Sequence, residues 1–304
     1  MKEIHILESP LKSSEQQHEA DMHSVINLLG VIVSVLSLLE HQVTTGKKCI
    51  VALSDEIIEA AQAVRQKDSV HYAFQRIEES RQDILNLVIK IALETRFPEE
   101  KTAAEEAYSN LVSIYEVASE RIAELKLRSE DPDMRITLDA PNLKHKFVQV
   151  FRAIEKNSNG LYRIRFNLAL KEQKDYYIDL NIESHRKDGQ LYIPLRMVDV
   201  LRDLTANSRK YTEPGGRIAL AMVQDDELIR CTIEDNGMGI PENELDKVVQ
   251  YGYRASNVLH KQTKGGGFGL SKAAWLILEW GGTFSIASEL NRGSVLKIVV
   301  PIVA

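Results

Sequence analysis

The sequence predicts an α+β fold in which a helical bundle comes first and an α/β sandwich follows. The chain has 304 residues, enough for two domains that each bury a core. Residues 14–128 contain one proline and two glycines, and their apolar residues recur at three- and four-residue spacing, which is typical of helices. From residue 162 onward, apolar and polar residues alternate in several short segments, which is typical of strands.

The first half divides into three predicted helical stretches. The first, residues 15–41, has a wide apolar stripe, which indicates burial on more than one side. After a turn near Gly46, the second stretch covers residues 54–97, and its start is indicated by Ser54 and an acidic first turn. The third, residues 99–128, follows a proline and begins with two glutamates. We expect helical hairpins packed in a bundle.

The second half has shorter and mixed elements. A helix at residues 143–156 ends at a run of turn formers, residues 157–160. Two alternating segments, residues 162–168 and 176–182, predict a hairpin. The elements predicted after it are a helix at 194–211, strands at 217–223 and 227–234, a helix at 271–279, and strands at 282–288 and 294–301. Helices beside strands that are mostly linked as hairpins make a sandwich.

Composition and charge argue against several classes of protein. The formal net charge is −6, whereas a nucleic-acid-binding surface is normally basic. The two cysteines, Cys49 and Cys231, have neither metal-ligand nor redox spacing. The apolar run near residues 25–39 is interrupted by polar residues and falls short of the roughly 20 apolar residues of a membrane span. The N-terminus has no signal-peptide pattern, so we expect a cytoplasmic protein with no membrane span and no nucleic-acid partner.

One predicted helix of the second half carries three polar residues on one face. Asp203, Asn207 and Lys210 are spaced i, i+4 and i+7. A carboxylate, a carboxamide oxygen and an ammonium suit a hydrated Mg²⁺ and the phosphates that it bridges. Taken alone, the three residues are better explained as a solvated polar face.

Two glycine-containing segments follow that helix along the chain. Asp235 ends a predicted strand just before Gly237 and Gly239, where a buried carboxylate can accept the exocyclic amine of adenine. The glycines at residues 265–269 run directly into a helix, whose free N–H groups can bind phosphate. Each segment alone is also explained as a turn.

In this order the segments resemble the motifs of the GHKL ATPase superfamily and, within it, the ATP-binding catalytic domain of sensor histidine kinases. The matching segments are an N box at residues 201–212, a G1 box at 235–239, an F-box-like segment at 251–254, a G2 box at 265–270 and a closing strand at 293–301. Five motifs in order make the resemblance specific. It implies a GHKL (Bergerat-type) ATP-binding domain over residues 131–304, with its core at 176–304 and a mobile lid at 253–264.

The resemblance implies a role for each matching residue. Asn207 would bind Mg²⁺, Lys210 would bind phosphate, Asp235 would recognise adenine and Tyr211 would pack near the nucleotide. The residues that would shape the ATP pocket are Gly237, Gly239, Gly265, Gly267, Phe268, Gly269 and Leu270.

Asp203 departs from the family pattern. Histidine kinases often have asparagine at this position, and the gyrase- and MutL-like ATPases have a longer glutamate that activates water. We expect Asp203 to support the metal-bound water without making the protein an efficient ATP hydrolase.

A histidine kinase also needs a nucleophilic imidazole on an exposed helix face, and His23 is the best candidate among the eight histidines. His23, Asn27 and Leu29 resemble part of the family's H box, in which Asn27 would position water for dephosphorylation of the receiver. The family usually has an acidic residue directly after the histidine, where this chain has Ser24. Since a general base contributes about 10²- to 10⁴-fold, autophosphorylation is expected to be slow or to use another carboxylate. His18, next to Glu19, is the runner-up acceptor.

The resemblance thus implies a cytoplasmic histidine kinase that phosphorylates itself from Mg-ATP and passes the phosphoryl group to a response-regulator aspartate. Residues 1–130 would form the helical dimerisation and phosphotransfer domain of a homodimer. One alternative, favoured by Ser24, is a kinase-like phosphorelay or binding module with weak or no autokinase activity. Another is a GHKL ATPase or protein kinase whose helical half binds a partner. Residues 98–170 have no assigned role.

Overall fold

The computed structural model describes residues 1–131, 134–156, 160–170, 172–260 and 267–302, apart from the side chains of residues 153, 154 and 156. Contacts divide the chain into a helical unit, residues 14–132, and a sheet unit made of residues 1–13 and 133–304. A helical region followed by an α/β domain confirms the predicted α+β fold. The predicted boundary after residue 130 differs from this division at the N-terminus, because residues 2–6 form a strand that pairs within the sheet.

The helical unit is a closed four-helix bundle. Its helices are α1 (Ser14–Gln42), α2 (Lys47–Val64), α3 (Val70–Glu94) and α4 (Pro98–Glu130). Consecutive helices pack together, and α1 also packs against α4. All four contribute to one apolar core, which includes Leu29, Ile57, Phe74, Ile77 and Tyr115. The bundle therefore buries its core within a single chain.

The second predicted helical stretch, residues 54–97, is wrong in its start and in its continuity. Helix α2 begins at Lys47, directly after Gly46, whose φ of 80° is in the left-handed region. The chain then reverses at residues 65–69, where Lys67–Ser69 form a short 3₁₀ turn between α2 and α3. These five residues are polar and have no side chain to bury in the core, so the chain reverses direction there.

Helix α1 also has the length and composition of a membrane span. An 18-residue window in it has a mean hydropathy of 2.1, and 33% of that window is buried in the structure. This differs from the expectation that the interrupted apolar run is too short. The buried face is the one in the bundle, where Val25, Leu29, Ile32 and Leu36 are fully buried. A core helix of a soluble protein passes the same test of composition.

The sheet unit contains nine strands and three helices within its described residues. They are β1 (Lys2–Ile6), β2 (Arg135–Leu138), α5 (Ala140–Lys156), β3 (Ile164–Arg165), β4 (Tyr176–Ser184), β5 (Leu191–Pro194), α6 (Met197–Lys210), β6 (Arg217–Gln224), β7 (Leu228–Asp235), α7 (Gly269–Glu279), β8 (Thr283–Glu289) and β9 (Gly293–Pro301). Seven strands form one sheet in the order β1-β8-β9-β7-β6-β4-β3, and β2 pairs with β5.

The predicted hairpin of residues 162–168 and 176–182 is wrong. Its first strand is reduced to β3, and β3 pairs with β4 in parallel, with Ile164 opposite Tyr176. A 3₁₀ turn at Leu168–Leu170 follows β3, and β4 runs in the same direction as β3 in the sheet. Alternation identifies a strand but not its direction. The short strands β1, β2 and β5 are additional to the sequence prediction.

Helices α6 and α7 lie on one face of the large sheet. Helix α6 contacts β6 and β7, α7 contacts β8 and β9, and the two helices contact each other. Alternate side chains of these four strands are buried, as expected for strands with one face covered. Because of this packing, the end of α6, the end of β7 and the start of α7 lie close together.

Candidate functional site

A cleft opens beside α6, the end of β7 and the segment that follows β7. It encloses about 680 Å³, counting the space open to solvent. Its lining residues are Leu204, Asn207, Ser208, Tyr211, Asp235, Gly239, Ile240, Val248, Tyr253, Arg254, Ala255, Asn257, Val258, Leu270, Ser294 and Leu296. The wall is mostly apolar, with a few polar groups from separate elements.

Asp235 is the buried carboxylate of this cleft. It is the last residue of β7 and is 8% exposed. Its carboxylate accepts hydrogen bonds from the Gly237 N–H, at 3.0 Å, and from the Ser208 hydroxyl and the Ser294 N–H. Burial raises the pKa of Asp235, and these donors offset only part of the effect. The group is therefore a fixed acceptor in an apolar wall.

Two glycines let the chain after Asp235 pass close to neighbouring backbone, Gly237 at the end of α6 and Gly239 at the end of β8. A Cβ at Gly237 would lie 2.4 Å from the Tyr211 carbonyl oxygen. Gly239 has a φ of +62°, and a Cβ there would lie 2.0 Å from the Glu289 carbonyl oxygen. Side chains at these two positions would displace backbone, so the residue type follows from packing as well as from the motif.

Three of the predicted site residues, Asn207, Lys210 and Tyr211, lie at the end of α6. Asn207 and Tyr211 line the cleft. Lys210 is half-buried with its ammonium 5.3 Å from the centre of the Tyr211 ring. Burial lowers the pKa of Lys210, and the neighbouring cations Arg254 and Arg209 lower it further. Burial raises the pKa of Tyr211.

Asp203 lies one turn before Asn207 and is not among the described residues that line the cleft. Its Oδ1 accepts hydrogen bonds from Arg202, at 3.3 and 3.4 Å. Its Oδ2 is 4.0 Å from Nζ of Lys272 on α7. Asp203 therefore takes part in the contact between α6 and α7.

The glycine-rich segment is described from Gly267 onward, and the predicted pocket residue Gly265 lies outside the described residues with the end of the predicted lid. Gly267 has a φ of +78°. Gly269 begins α7, and a Cβ there would lie 2.6 Å from Nδ2 of Asn207. The Phe268 ring is 4.7 Å from the Tyr251 ring, and Leu270 lines the cleft. This brings the start of α7 to the Asn207 side of the cleft.

Sequence analysis missed two polar residues that shape the same cleft. Glu244 is buried and accepts hydrogen bonds from the Ser256 N–H, at 2.8 Å, and from the Tyr253 hydroxyl, at 3.0 Å. The bonds from Ser256 are the main cause of its lowered pKa. Asn257 donates from Nδ2 to the Gly239 carbonyl oxygen at 3.0 Å, and its buried Oδ1 has no partner among the described residues. The signal that could have found Glu244 was an acidic residue between the G1 and F-box-like segments.

In the helical unit, the two candidate acceptor histidines differ in their bonds. Nε2 of His23 is 3.0 Å from Nδ2 of Asn27, one turn along α1. An amide nitrogen only donates, so Nε2 of His23 accepts this hydrogen bond with its lone pair. Nε2 of His18 is 2.9 Å from the Val64 carbonyl oxygen, which only accepts, so that nitrogen carries the proton.

The residue after His23 is bonded to α4. Ser24 accepts a hydrogen bond from Nε of Arg121 at 2.8 Å. Arg121 is 4% exposed and also pairs with Glu124, which in turn pairs with Arg128 at 3.1 Å. The position that is acidic in the family is therefore occupied here by a neutral residue facing a buried guanidinium.

Comparison with known proteins finds a family that matches the part of the chain that forms the cleft. Residues 192–304 match the family described as "Histidine kinase-, DNA gyrase B-, and HSP90-like ATPase". This part of the sheet unit is therefore similar to the ATPase domain of those proteins. The matched residues include α6, β7, α7 and every lining residue of the cleft, and the match confirms the resemblance seen in the motifs.

Curated relatives of this ATPase domain are sensor kinases. Sensor histidine kinase RppB of Synechocystis sp. is 25% identical over 126 residues, 40% of this chain and 28% of that protein. Adaptive-response sensory kinase SasA of Prochlorococcus marinus is 32% identical over 141 residues, 44% of this chain and 38% of that protein. Signal transduction histidine-protein kinase BarA of Escherichia coli is 33% identical over 125 residues, 40% of this chain and 14% of that protein. The chain thus aligns with less than half of each relative.

Among solved structures, the mycobacterial sensor histidine kinase MprB aligns with 55% of this chain and 97% of its own, at 18% identity and a TM-score of 0.40. The catalytic domain of histidine kinase ThkA aligns with 55% of this chain and 95% of its own, at 19% identity and a TM-score of 0.40.

Proposed function

We propose that this chain is an ATP-dependent protein-histidine kinase of a two-component system. The observation that carries the proposal is the convergence of Asp235, Asn207 and Tyr211 on one cleft of a histidine kinase-type ATPase domain. The adenine amine donates to the ionised Asp235 carboxylate, and Tyr211 packs beside the nucleotide. Lys210 and the N–H groups at the start of α7 face the phosphates.

The residues present fit a nucleotide and its metal ion. Oδ1 of Asn257, which has no partner in the part of the chain that the structure describes, provides an acceptor in the cleft wall, and Gly269 leaves room beside the Asn207 amide. Among the described residues there is no group of three or more His, Cys, Asp or Glu side chains that could hold a metal. Mg²⁺ does not need such a group, because it keeps several waters and is bound by one or two protein oxygens and the substrate phosphates. We assign the protein ligand to Asn207, and the place of Asp203 near the metal-bound water stays a prediction.

The phosphoryl transfer uses His23 as nucleophile. After the hydrogen bond from Asn27 breaks, the lone pair on Nε2 of His23 attacks the γ-phosphorus, the bond to the β,γ-bridging oxygen breaks, and ADP leaves with that electron pair. The imidazolium then loses the proton on Nδ1 to solvent or a carboxylate. In the second transfer a receiver aspartate attacks the phosphorus and the N–P bond breaks. Asn27, whose Nδ2 is 3.0 Å from Nε2 of His23, would position water for dephosphorylation of that receiver.

Two further properties belong to the proposal. The chain acts as a homodimer through its helical unit, which exposes several large apolar side chains, among them Leu38, Leu93, Phe97 and Val117. It acts in the cytoplasm, where ATP and a receiver domain are available to it.

The test is incubation of the full chain with γ-labelled ATP and Mg²⁺, with His23→Gln and His18→Gln side by side. We expect acid-labile, base-stable label in the wild type and in His18→Gln, and none in His23→Gln. Added receiver domains should remove the label from the wild type. Equal labelling of the two histidine variants would show that the acceptor is a residue other than His23.

The same experiment separates the alternatives. ATP binding without label would favour a phosphorelay or binding module. Acid-stable label would indicate a different protein kinase, and steady release of phosphate without a phosphoprotein would indicate a hydrolase.

A further inference from the structure

Lys272 is a buried lysine for which the proposed chemistry has no role. It lies in the first turns of α7 and is 3% exposed, and the residues that follow it, Ala273–Ile277, are buried as well. Lysine is almost never fully buried without a partner, because removing the ammonium from water costs several kcal/mol. Its ammonium is 4.0 Å from Oδ2 of Asp203.

The carboxylate of Asp203 is directed at cations of the protein. Arg202 bonds Oδ1 and Lys272 faces Oδ2. Leu204 and Asn207 on the same helix line the cleft, whereas Asp203 is not among the lining residues that the structure describes. The carboxylate therefore acts at the contact between α6 and α7.

A second contact between the same helices lies one turn away. The backbone of α7 at Gly269 is packed against the Asn207 amide so closely that a Cβ would lie 2.6 Å from it. Asp203 precedes Asn207 on α6, whereas its partner Lys272 follows Gly269 on α7. The two helices therefore run antiparallel at this point. The pair of Asp203 and Lys272 thus holds α7 in register just behind the Gly269 contact.

We propose that Lys272 is a positioning residue for the phosphate end of the nucleotide, acting through Asp203. The pair fixes the first turn of α7, whose N–H groups face the phosphates, against the helix that carries Asn207. Small displacements of such groups matter, since a shift of about 1 Å can cost about 10²-fold in activity. The adenine end, held by Asp235 on β7, does not depend on this pair. The inference rests on the proposed binding of ATP in the cleft.

The test measures the affinity of the full chain for Mg-ATP, Mg-ADP and adenosine by calorimetry. The variants are Lys272→Met, Asp203→Asn and the double variant, which removes the buried ammonium together with the carboxylate charge that it faces. Lys297→Met is the matched control, because Lys297 is an exposed lysine on β9 paired with Glu3. We expect the double variant to lose about tenfold in affinity for ATP and ADP, and to keep its adenosine affinity within about twofold. The control should bind all three as the wild type does.

A merely structural role for the pair predicts a different result. The affinities for all three ligands would then fall, and the melting temperature would fall with them. That result, or unchanged ATP affinity in any folded variant of the pair, would overturn the inference. If the double variant does not fold, Lys272→Met gives the same comparison, because Asp203 is 30% exposed and keeps its Arg202 contact. A wild-type chain that binds adenosine and ATP equally weakly would instead overturn the proposed function, and the inference with it.

Discussion

At the scale of single residues, Asp235 shows what burial does to a ligand-binding carboxylate. Burial raises its pKa in the folded chain. Asp235 therefore takes up a proton on folding, and its contribution to stability is fully present below the unfolded pKa of about 3.9 and is lost as pH rises through the folded pKa. At neutral pH the ionised Asp235 therefore lowers the free energy of unfolding of the nucleotide-free protein. A ligand that donates a hydrogen bond to this carboxylate would offset the loss.

We expect the affinity for ATP to fall as pH is lowered through the folded pKa of Asp235, because the protonated carboxyl no longer accepts from the adenine amine. Below that pKa the loss is about tenfold per pH unit, and it starts at a higher pH than for an ordinary aspartate. Nucleotide titrations across mildly acidic to neutral pH measure it. Asp235→Asn should bind weakly and without this pH dependence. The same slope in wild type and variant would assign the titration to another group.

Ser24 gives a second prediction at this scale. Ser24→Ala removes the acceptor of the buried Arg121 Nε and should lower the free energy of unfolding of the helical unit by about 1–3 kcal/mol. Urea unfolding followed by far-UV circular dichroism measures the loss. Ser34→Ala is the control, since Ser34 is exposed and its hydroxyl donates to the Gly30 carbonyl oxygen of its own helix. An equal loss in the two variants would contradict the role given to Arg121.

At the scale of elements, the sequence predicted α1 and α4 well, because a long 3.6-residue apolar period and an acidic start are local features. It missed the break at residues 65–69, because their arginine, glutamine and lysine are good helix formers although none of the five residues is buried in the core. Strand β1 has alternating isoleucines, but its partner β8 lies at the other end of the chain. Such pairing is not visible in a local pattern.

The cleft was predicted to a similar extent. Residues with a fixed motif spacing, such as Asn207 and Asp235, were found from that spacing. Glu244 and Asn257 were missed because their roles arise from hydrogen bonds across loops of irregular backbone. The alternation that suggested a hairpin before residue 182 likewise specified strands without their direction.

Gly269→Ala tests the contact between α6 and α7. Alanine suits a helix, so the variant should fold, but its Cβ would displace the Asn207 amide and weaken Mg-ATP binding by about tenfold or more. Gly30→Ala in α1 is the matched control, since a Cβ there meets no atom within 4 Å. It should raise the stability by about 0.5–1 kcal/mol and leave ATP affinity unchanged. Normal ATP binding by Gly269→Ala would show that Asn207 does not need its present position.

At the scale of the whole molecule, the proposed chemistry is divided between two units with separate cores. The lining residues of the cleft all belong to the sheet unit, whereas His23 and Asn27 belong to the helical unit. The helical unit closes a four-helix core within one chain. A second copy is therefore not needed to bury that core, and dimerisation would use side chains that the bundle leaves exposed.

The closed bundle also bears on whether α1 spans a membrane. Lipid would cover the apolar side chains of α1 itself, but it would leave the facing core side chains of α2, α3 and α4 without a partner. At about 1.5–3 kcal/mol for each buried side chain, losing even a few such partners equals the whole stability of a typical domain, about 5–15 kcal/mol. We therefore expect the expressed chain to remain in the supernatant after ultracentrifugation without detergent. A destabilised bundle variant, Ile77→Asp in α3, should shift the chain to the pellet, since it releases α1 from its core. Wild-type chain that stays with membranes through an alkaline carbonate wash and leaves them only in detergent would show instead that α1 is a span.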